Sequence, residues 1–322
     1  MTMQVLTDIP QKLERAFELR LAHFGKGIKF YNPGLKSYAT DEMCQANPRQ
    51  FVSVSLTGKG CALNCDHCEK KILEPMLALD KREGLFEMCR RLKEGGTEGI
   101  LLSGGSLKTG EVPFMPYIDQ IARVREELGM KIIMHTGLIR SEAQARALSE
   151  AGVDGVALDI IGADETIRKV YHLDATTRDF DRALYWLSKY ELSLRPHIII
   201  GLHYGQLLGE WKALEMIARY PRHALVLVII TPLYGTAMWN IDLPTVEEIS
   251  NFFADARLTI ADDYVMLGCA RPQGKYKVDV DRAAIDAGLN GIAYPAEGIV
   301  QYAIDRGLTP EYYENACSCG VE

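Results

Sequence analysis

Apolar positions along the chain follow two alternating rhythms. Runs such as Ile198-Ile199-Ile200 and Leu225-Val226-Leu227-Val228-Ile229-Ile230 are apolar at every position. That pattern suits extended segments buried on both faces, whereas a sheet with one wet face would alternate. Between these runs lie longer stretches with apolar residues at three- and four-residue spacing, the mark of helices with one buried face. The runs predict eight strands, at 51–56, 99–102, 131–135, 155–160, 195–201, 224–231, 264–269 and 291–294. Helices are expected at 78–94, 115–128, 141–151, 164–189, 207–219, 245–261, 277–287 and 297–306, with an amphipathic one near 11–24. Thr245 with Glu248 three residues on has the form of a capping box, and Gly95-Gly96 and Gly152 mark helix ends.

Strands alternating with helices imply a parallel sheet under helices. The expected fold class is α/β, a (β/α)8 TIM-type barrel over 51–307, with an N-terminal extension at 1–50 and a cysteine-containing tail at 308–322. A doubly wound open sheet or a six-stranded partial barrel is the alternative if the last two repeats are misread. The 322 residues, 48% apolar and 25% charged, suffice for one large core. No apolar run reaches the ~18 residues of a membrane span, and the N-terminus lacks the features of a secretory signal. A cytoplasmic protein without membrane association is expected. A net charge of −7 with dispersed Lys and Arg argues against a nucleic-acid partner.

The eight cysteines change the picture most. In a reducing compartment they point to metal ligands, catalytic groups or buried apolar positions rather than disulfides. Cys61, Cys65 and Cys68 stand in one loop, Gly58-Lys59-Gly60-Cys61-Ala62-Leu63-Asn64-Cys65-Asp66-His67-Cys68-Glu69, directly after the first strand. Strand C-terminal ends carry the chemistry of such barrels. Three thiolates without a fourth nearby suit a [4Fe–4S] cluster with one iron left open. A structural zinc site wants four closed ligands, and His67, wedged between Asp66 and Cys68, would strain to supply the fourth. Cys89 shares a helical face with Leu85 and Leu92 and is expected in the core. Cys269 ends the seventh strand, Cys317 and Cys319 lie in the tail, and Cys44 precedes the first strand. These four are candidates for a second cluster across the barrel mouth, for a zinc clip, or for inert thiols.

The C-x3-C-x2-C loop, by spacing and position, resembles the radical S-adenosylmethionine (SAM) superfamily, with His67 where an aromatic residue usually stands. The resemblance implies that the open iron chelates the amino and carboxylate groups of SAM and delivers an electron. A 5′-deoxyadenosyl radical results, which abstracts hydrogen from unactivated carbon. It also implies roles for residues at later strand ends. Ser103, Gly104, Gly105 and Ser106 are similar to the segment that meets the methionine amino group, with Ser106 in place of the usual acidic residue. Asp159 would accept hydrogen bonds from the ribose, a rim salt bridge being its alternative role. Gly201 ends a stretch resembling the adenine-packing strand, without that strand's first glycine, and Pro232 lies in a segment, 231–236, similar to one in biotin synthase. Arg195 or Arg271 is expected to meet the cofactor carboxylate or to close a surface salt bridge, and Arg271 is also weighed as a cluster ligand. His135, His197, His203 and Tyr204 are expected to shape the pocket.

The strings His135-Thr136-Gly137-Leu138, 196–205 and 267–274 together resemble the two-protein lipoyl synthases, within a biotin-synthase-like branch. That resemblance implies sulfur insertion into an octanoyl chain on a lysine of a lipoyl carrier protein, with an auxiliary [4Fe–4S] cluster consumed as sulfur donor. The partners implied are a paralogous radical SAM protein, the octanoylated carrier and a reductant such as ferredoxin or flavodoxin. Which of the two components this chain would be is left open. The alternatives are biotin-type sulfur insertion on a small molecule, a mutase or cofactor maturase, a non-enzymatic iron–sulfur electron carrier, and a zinc-stabilised barrel enzyme.

Overall fold

Each apolar run becomes a strand of one parallel sheet. The computed structural model describes residues 8–80 and 82–317. The strands are β1 (Gly27–Tyr31), β2 (Phe51–Ser55), β3 (Leu77–Ala78), β4 (Gly99–Ser103), β5 (Lys131–His135), β6 (Gly155–Asp159), β7 (Leu194–Ile200), β8 (Ala224–Ile229), β9 (Tyr264–Leu267), β10 (Gly291–Ala293) and β11 (Thr309–Tyr313). Their order is β11-β1-β10-β9-β8-β7-β6-β5-β4-β2-β3. The eight expected strands are β2 and β4 to β10, and they occupy consecutive places in it. β8 is buried at all positions, as its unbroken apolar run requires.

The sheet curls. Tyr31, Phe51, Ile133, Ala157, Val226, Met266 and Ala293, from strands at both ends of the order, meet in one interior cluster. The fold is therefore the expected α/β barrel type, but its closure differs. β2 is not hydrogen-bonded to β10; β1 takes the place beside β10, and β11 lies beyond it. The two terminal extensions thus contribute strands to the sheet itself. β11 holds Pro310 at its second position, which an edge strand tolerates because only one side of its backbone is paired.

The helices α1 (Ile9–Phe24), α2 (Leu85–Glu94), α3 (Ile118–Leu128), α4 (Glu142–Glu150), α5 (Asp164–Lys169), α6 (Thr177–Lys189), α7 (Glu210–Ala218), α8 (Val246–Thr259), α9 (Lys275–Asp286) and α10 (Ile299–Asp305) connect and cover the strands. The Thr245–Glu248 capping box forms at the start of α8. Two expected helices are shorter. The 78–94 helix starts only at Leu85, because Gly84 takes φ 84°, a conformation that opens rather than continues a helix. The 164–189 helix breaks at His172, which has φ 53°, and α6 restarts at Thr176, whose N–H is capped by Asp179 at 2.9 Å. No helix among the described residues is long and apolar enough to cross a membrane.

Candidate active site

The cysteine loop follows β2 and is shaped by three residues with left-handed backbone, Asn64, Glu69 and Lys70, at φ 54°, 41° and 71°. Such conformations cost a non-glycine residue on the order of 1 kcal/mol or more each and persist where surroundings enforce them. The surroundings do so through Asp66. Its carboxylate accepts a hydrogen bond from the Tyr204 hydroxyl at 2.5 Å and pairs with His172 Nε2 at 2.7 Å. Its N–H donates to Val170 O at 2.9 Å. Tyr204 and His172 are themselves left-handed, at φ 51° and 53°. His67 stacks on Tyr171, ring centroids 5.1 Å apart. Loops after β6 and β7 therefore grip the cysteine loop from the side.

From β4 the grip is glycine-dependent. A Cβ on Gly105 would come within 2.0 Å of Gly60 O and 2.7 Å of Cys61 Cα. Its N–H donates to Thr57 Oγ1 at 2.7 Å, and Ala62 N–H donates to Ser106 O at 2.8 Å. Gly105 is thus needed so that the end of β4 can lie against the cysteine loop, a different cause from the ligand approach expected of it.

Cys61, Cys65 and Cys68 line one cavity of about 130 Å³ with Ser103, Gly104, Gly105, Ser106, His135 and Asp159. Cys65 and Cys68 are buried, and Cys65 Sγ donates to Tyr171 O at 3.8 Å; the interaction of the two thiols, helped by His67, holds the Cys68 thiol below its ordinary range and pushes Cys65 above it. At the ends of β6 and β5, Asp159 lies 3.7 Å from His135 Nε2 and accepts from the Tyr171 hydroxyl at 3.3 Å. Burial would raise the Asp159 carboxyl, but His135, His197 and His67 outweigh it and bring it down to about 2. Burial likewise opposes charge on His135, and Asp159 reverses the sign and raises it.

Other expected site residues stand elsewhere. Gly201 and Pro232 do not line this cavity. Gly201, at φ 78°, abuts Pro244 and donates its N–H to Glu210 at 2.9 Å. Arg195 is a correction: it sits near the start of β7, the opposite end of the strand, where its Nη1 donates to Ser193 O and Ser193 Oγ at 2.9 and 2.8 Å. A side chain buried at that end does not reach a cofactor at the other. Arg271 closes no surface salt bridge. It is buried, forked onto Asp281 at 2.5 and 3.0 Å, and its remaining N–H groups go to Gly268 O and Tyr294 O. Four of its five N–H donors are spent inside the protein. His203 turns away to Thr166 at 3.0 Å.

A family model described as the Radical SAM superfamily matches residues 55–217, half of the chain. The chain belongs to the radical SAM superfamily. Among curated relatives, biotin synthase of Acinetobacter baumannii (strain SDF) is 27% identical over 248 residues, 73% of this chain and 71% of its own. Biotin synthase of Shigella boydii serotype 18 is 26% identical over 262 residues, 77% and 72% of the two chains. Among solved structures, methylornithine synthase (PylB) superposes with TM-score 0.63 at 16% identity, covering 96% of this chain and 91% of that one. HydG, a maturase of the [FeFe]-hydrogenase, gives 0.64 at 13% identity, covering 97% and 69%. At these identities the structural likeness concerns the fold.

A radical SAM enzyme carries a [4Fe–4S] cluster and SAM, and the loop fits them. Its three thiols face one cavity, and His67 Nδ1 is buried there without a protein partner. Among the described residues no three Cys, His, Asp or Glu side chains close on a single ion.

A second group of thiols lies on the β9–β10–β1 side of the mouth of this radical SAM barrel. Cys269 is exposed to solvent, yet the protein crowding around it, followed by Cys317, pushes its thiol up, so the two thiols influence each other. Cys317 is buried in the interior cluster and also acts electrostatically on His135, a wall of the first cavity. Cys44 is exposed, its backbone bridged to Ala39, and Cys319 lies outside the described residues. Lys36 and Arg271 act on Cys269, and Lys277 lies in turn beside Lys36, Arg271 and Asp281. Burial pulls Lys277 down to about 7 and Lys36 below its ordinary value. Cys89 is fully buried, and burial pushes its thiol up to about 12. The grip on Asp66 and the two lysines escape sequence reasoning, since each joins residues far apart in the chain. The one available signal is that Tyr204 and Lys36 fall in the loops after β7 and β1.

Proposed function

We propose that this radical SAM enzyme inserts sulfur into unactivated carbon, as one component of a two-protein lipoyl synthase acting on an octanoyl-lysine chain of a lipoyl carrier protein. The observation that carries the proposal is the meeting of Cys269 and Cys317 in the barrel mouth, with Cys317 in electrostatic reach of His135 and hence beside the cysteine-loop cavity. Relatives named biotin synthase support sulfur insertion as the class of reaction. When bound, the loop cluster and SAM supply a carbon-centred radical, and a second [4Fe–4S] cluster supplies sulfur. Cys61, Cys65 and Cys68 hold the first cluster; Cys269, Cys317, Cys319 and Cys44 are assigned to the second. Asp159 and the 103–106 segment orient SAM. A paralogous radical SAM protein and a ferredoxin or flavodoxin complete the system.

The test is a variant with Cys269, Cys317 and Cys319 replaced by Ala, reconstituted without oxygen. It is expected to cleave SAM, to hold about half the iron, and to yield no thiolated octanoyl peptide in the presence of the partner, read by mass spectrometry. Sulfur insertion at the unaltered rate would refute the donor role. A second reading, sulfur insertion on a small molecule, draws on the same relatives; turnover of such a substrate and not of the octanoyl peptide would favour it.

A further inference from the structure

Beside Cys269 the barrel mouth collects more positive charge than its protein partners balance. Lys277, in the first turn of α9, is 3% exposed, and its ammonium donates to the Tyr38 hydroxyl and lies 4.4 Å from the Tyr38 ring centroid. Lys36, half-buried in the loop after β1, places its ammonium 4.2 Å from the Tyr294 ring centroid and 5.5 Å from that of Tyr38. Ring faces attract a cation but do not neutralise it. Neither lysine has a carboxylate at ion-pair distance among the described residues. Arg271 and Asp281 are matched to each other with both side chains fully buried. With both lysines protonated, three cations share one carboxylate, and the excess is costly for the buried Lys277, whose ammonium burial draws down to about 7.

The excess faces the thiols. Tyr294, under the Lys36 ammonium, packs in the interior cluster with Cys317, and Tyr38, which Lys277 touches, meets Tyr294 edge-on with ring centroids 5.4 Å apart; Lys36 and Arg271 also act electrostatically on Cys269. An iron–sulfur cluster held by thiolates is anionic when oxidised, so it would match the excess in sign. We propose that Lys36 and Lys277 are the counter-charges of an anionic iron–sulfur cluster bound at Cys269 and Cys317, fixing its retention and its reduction potential. This rests on the second-cluster reading above and adds residues that no cysteine pattern names.

Full-length protein carrying Lys36→Met or Lys277→Met, with Lys277→Arg as the charge-conserving control, tests it in two states. Without metal, Lys277→Met should melt at a higher temperature than the unaltered metal-free protein, because an uncompensated buried charge is gone. After anaerobic reconstitution the order should reverse. The second cluster should be held roughly 10- to 100-fold more weakly against a chelator, as loss of an outer partner of a metal site produces. In a redox titration followed by electron paramagnetic resonance, that cluster should shift to more negative potential, since a neutralising cation is lost, while the loop cluster stays in place. Lys277→Arg should restore both readings.

If both Met variants keep the second cluster with unaltered potential and retention, the inference is wrong although the cluster is real. If the unaltered protein takes up iron for one cluster only, the second-cluster reading and the inference fall together. A rise in KM for a carboxylate-bearing substrate, with the second cluster unaffected, would make the lysines a substrate site and overturn the assignment.

Discussion

Two carboxyl groups show how position decides what a residue does. Asp159 stays ionised because three imidazoles outweigh its burial. Asp159→Asn should weaken SAM binding by about 1.5–3 kcal/mol, the worth of a hydrogen bond to a charged group, checked by calorimetric titration. The same substitution should drop the His135 imidazole below its ordinary value, because burial, its largest cause, is then opposed only by Cys317; nuclear magnetic resonance of the ring reads this directly. Glu210 is the opposite case. It is buried, its Oε1 accepts from Gly201, and its Oε2 has no partner, so burial outweighs the Gly201 N–H and raises the carboxyl to about 7. Below pH 4.5 it is neutral in both folded and unfolded chains and costs nothing. Between 4.5 and about 7 only the unfolded chain readily ionises, so stability falls with rising pH and the loss is complete above 7. The loss is roughly 3 kcal/mol. Glu210→Gln should therefore raise the melting temperature at pH 8 and change it little at pH 4.5.

At the scale of elements, the cysteine loop is held by segments that are not its neighbours in sequence. Val170, Tyr171 and His172 come from the break between α5 and α6, and Tyr204 from the turn after β7; all converge on Asp66 and His67. The strained backbone at Asn64, Glu69, Lys70, His172 and Tyr204 is concentrated on the two sides of that grip. Releasing it should let the loop relax without unfolding the barrel. In Asp66→Ala both anchoring contacts are lost, a cost of about 1–3 kcal/mol locally. Metal-free protein should then show faster hydrogen exchange at 61–70 with a nearly unchanged rate in β4 to β8. Tyr204→Phe, which removes one contact only, should fall between. Uniform acceleration through the strands would mean that the grip supports the fold as a whole rather than the loop.

For the whole molecule, the ion pair of Arg271 and Asp281 binds three successive parts of the barrel rim. Arg271 belongs to the loop after β9, Asp281 to α9, and Asp281 also accepts from Ala296 N–H after β10 at 2.8 Å, while Arg271 donates to Tyr294 O. With both side chains at 0% exposure, Asp281→Asn leaves a buried guanidinium unbalanced. The expected cost is about 3–5 kcal/mol, measured by urea unfolding, and the rim thiols should lose their mutual placement with it. An effect below about 1 kcal/mol would show that solvent or another group compensates the charge.

The order of strands and helices was legible because continuous apolar runs and helical spacing are local properties, and the eight strands of 51–294 occur where those patterns stand. The cysteine loop was legible for the same reason: Cys61, Cys65 and Cys68 lie within one turn-rich segment, and they line one cavity. β1 and β11 were not, being short, partly polar and stabilised by pairing with each other and β10 across the chain. Arg195 was placed at the wrong end because a residue's type says nothing about which end of its strand the chemistry uses; only the parallel register fixes that. The meeting of Cys269 with Cys317, the grip of Tyr204 and His172 on Asp66, and the unbalanced lysines beside the thiols arise from curling the sheet, which brings distant strand ends to one mouth. Sequence determined the elements and the first ligand set; tertiary structure decided which charges face which sulfurs.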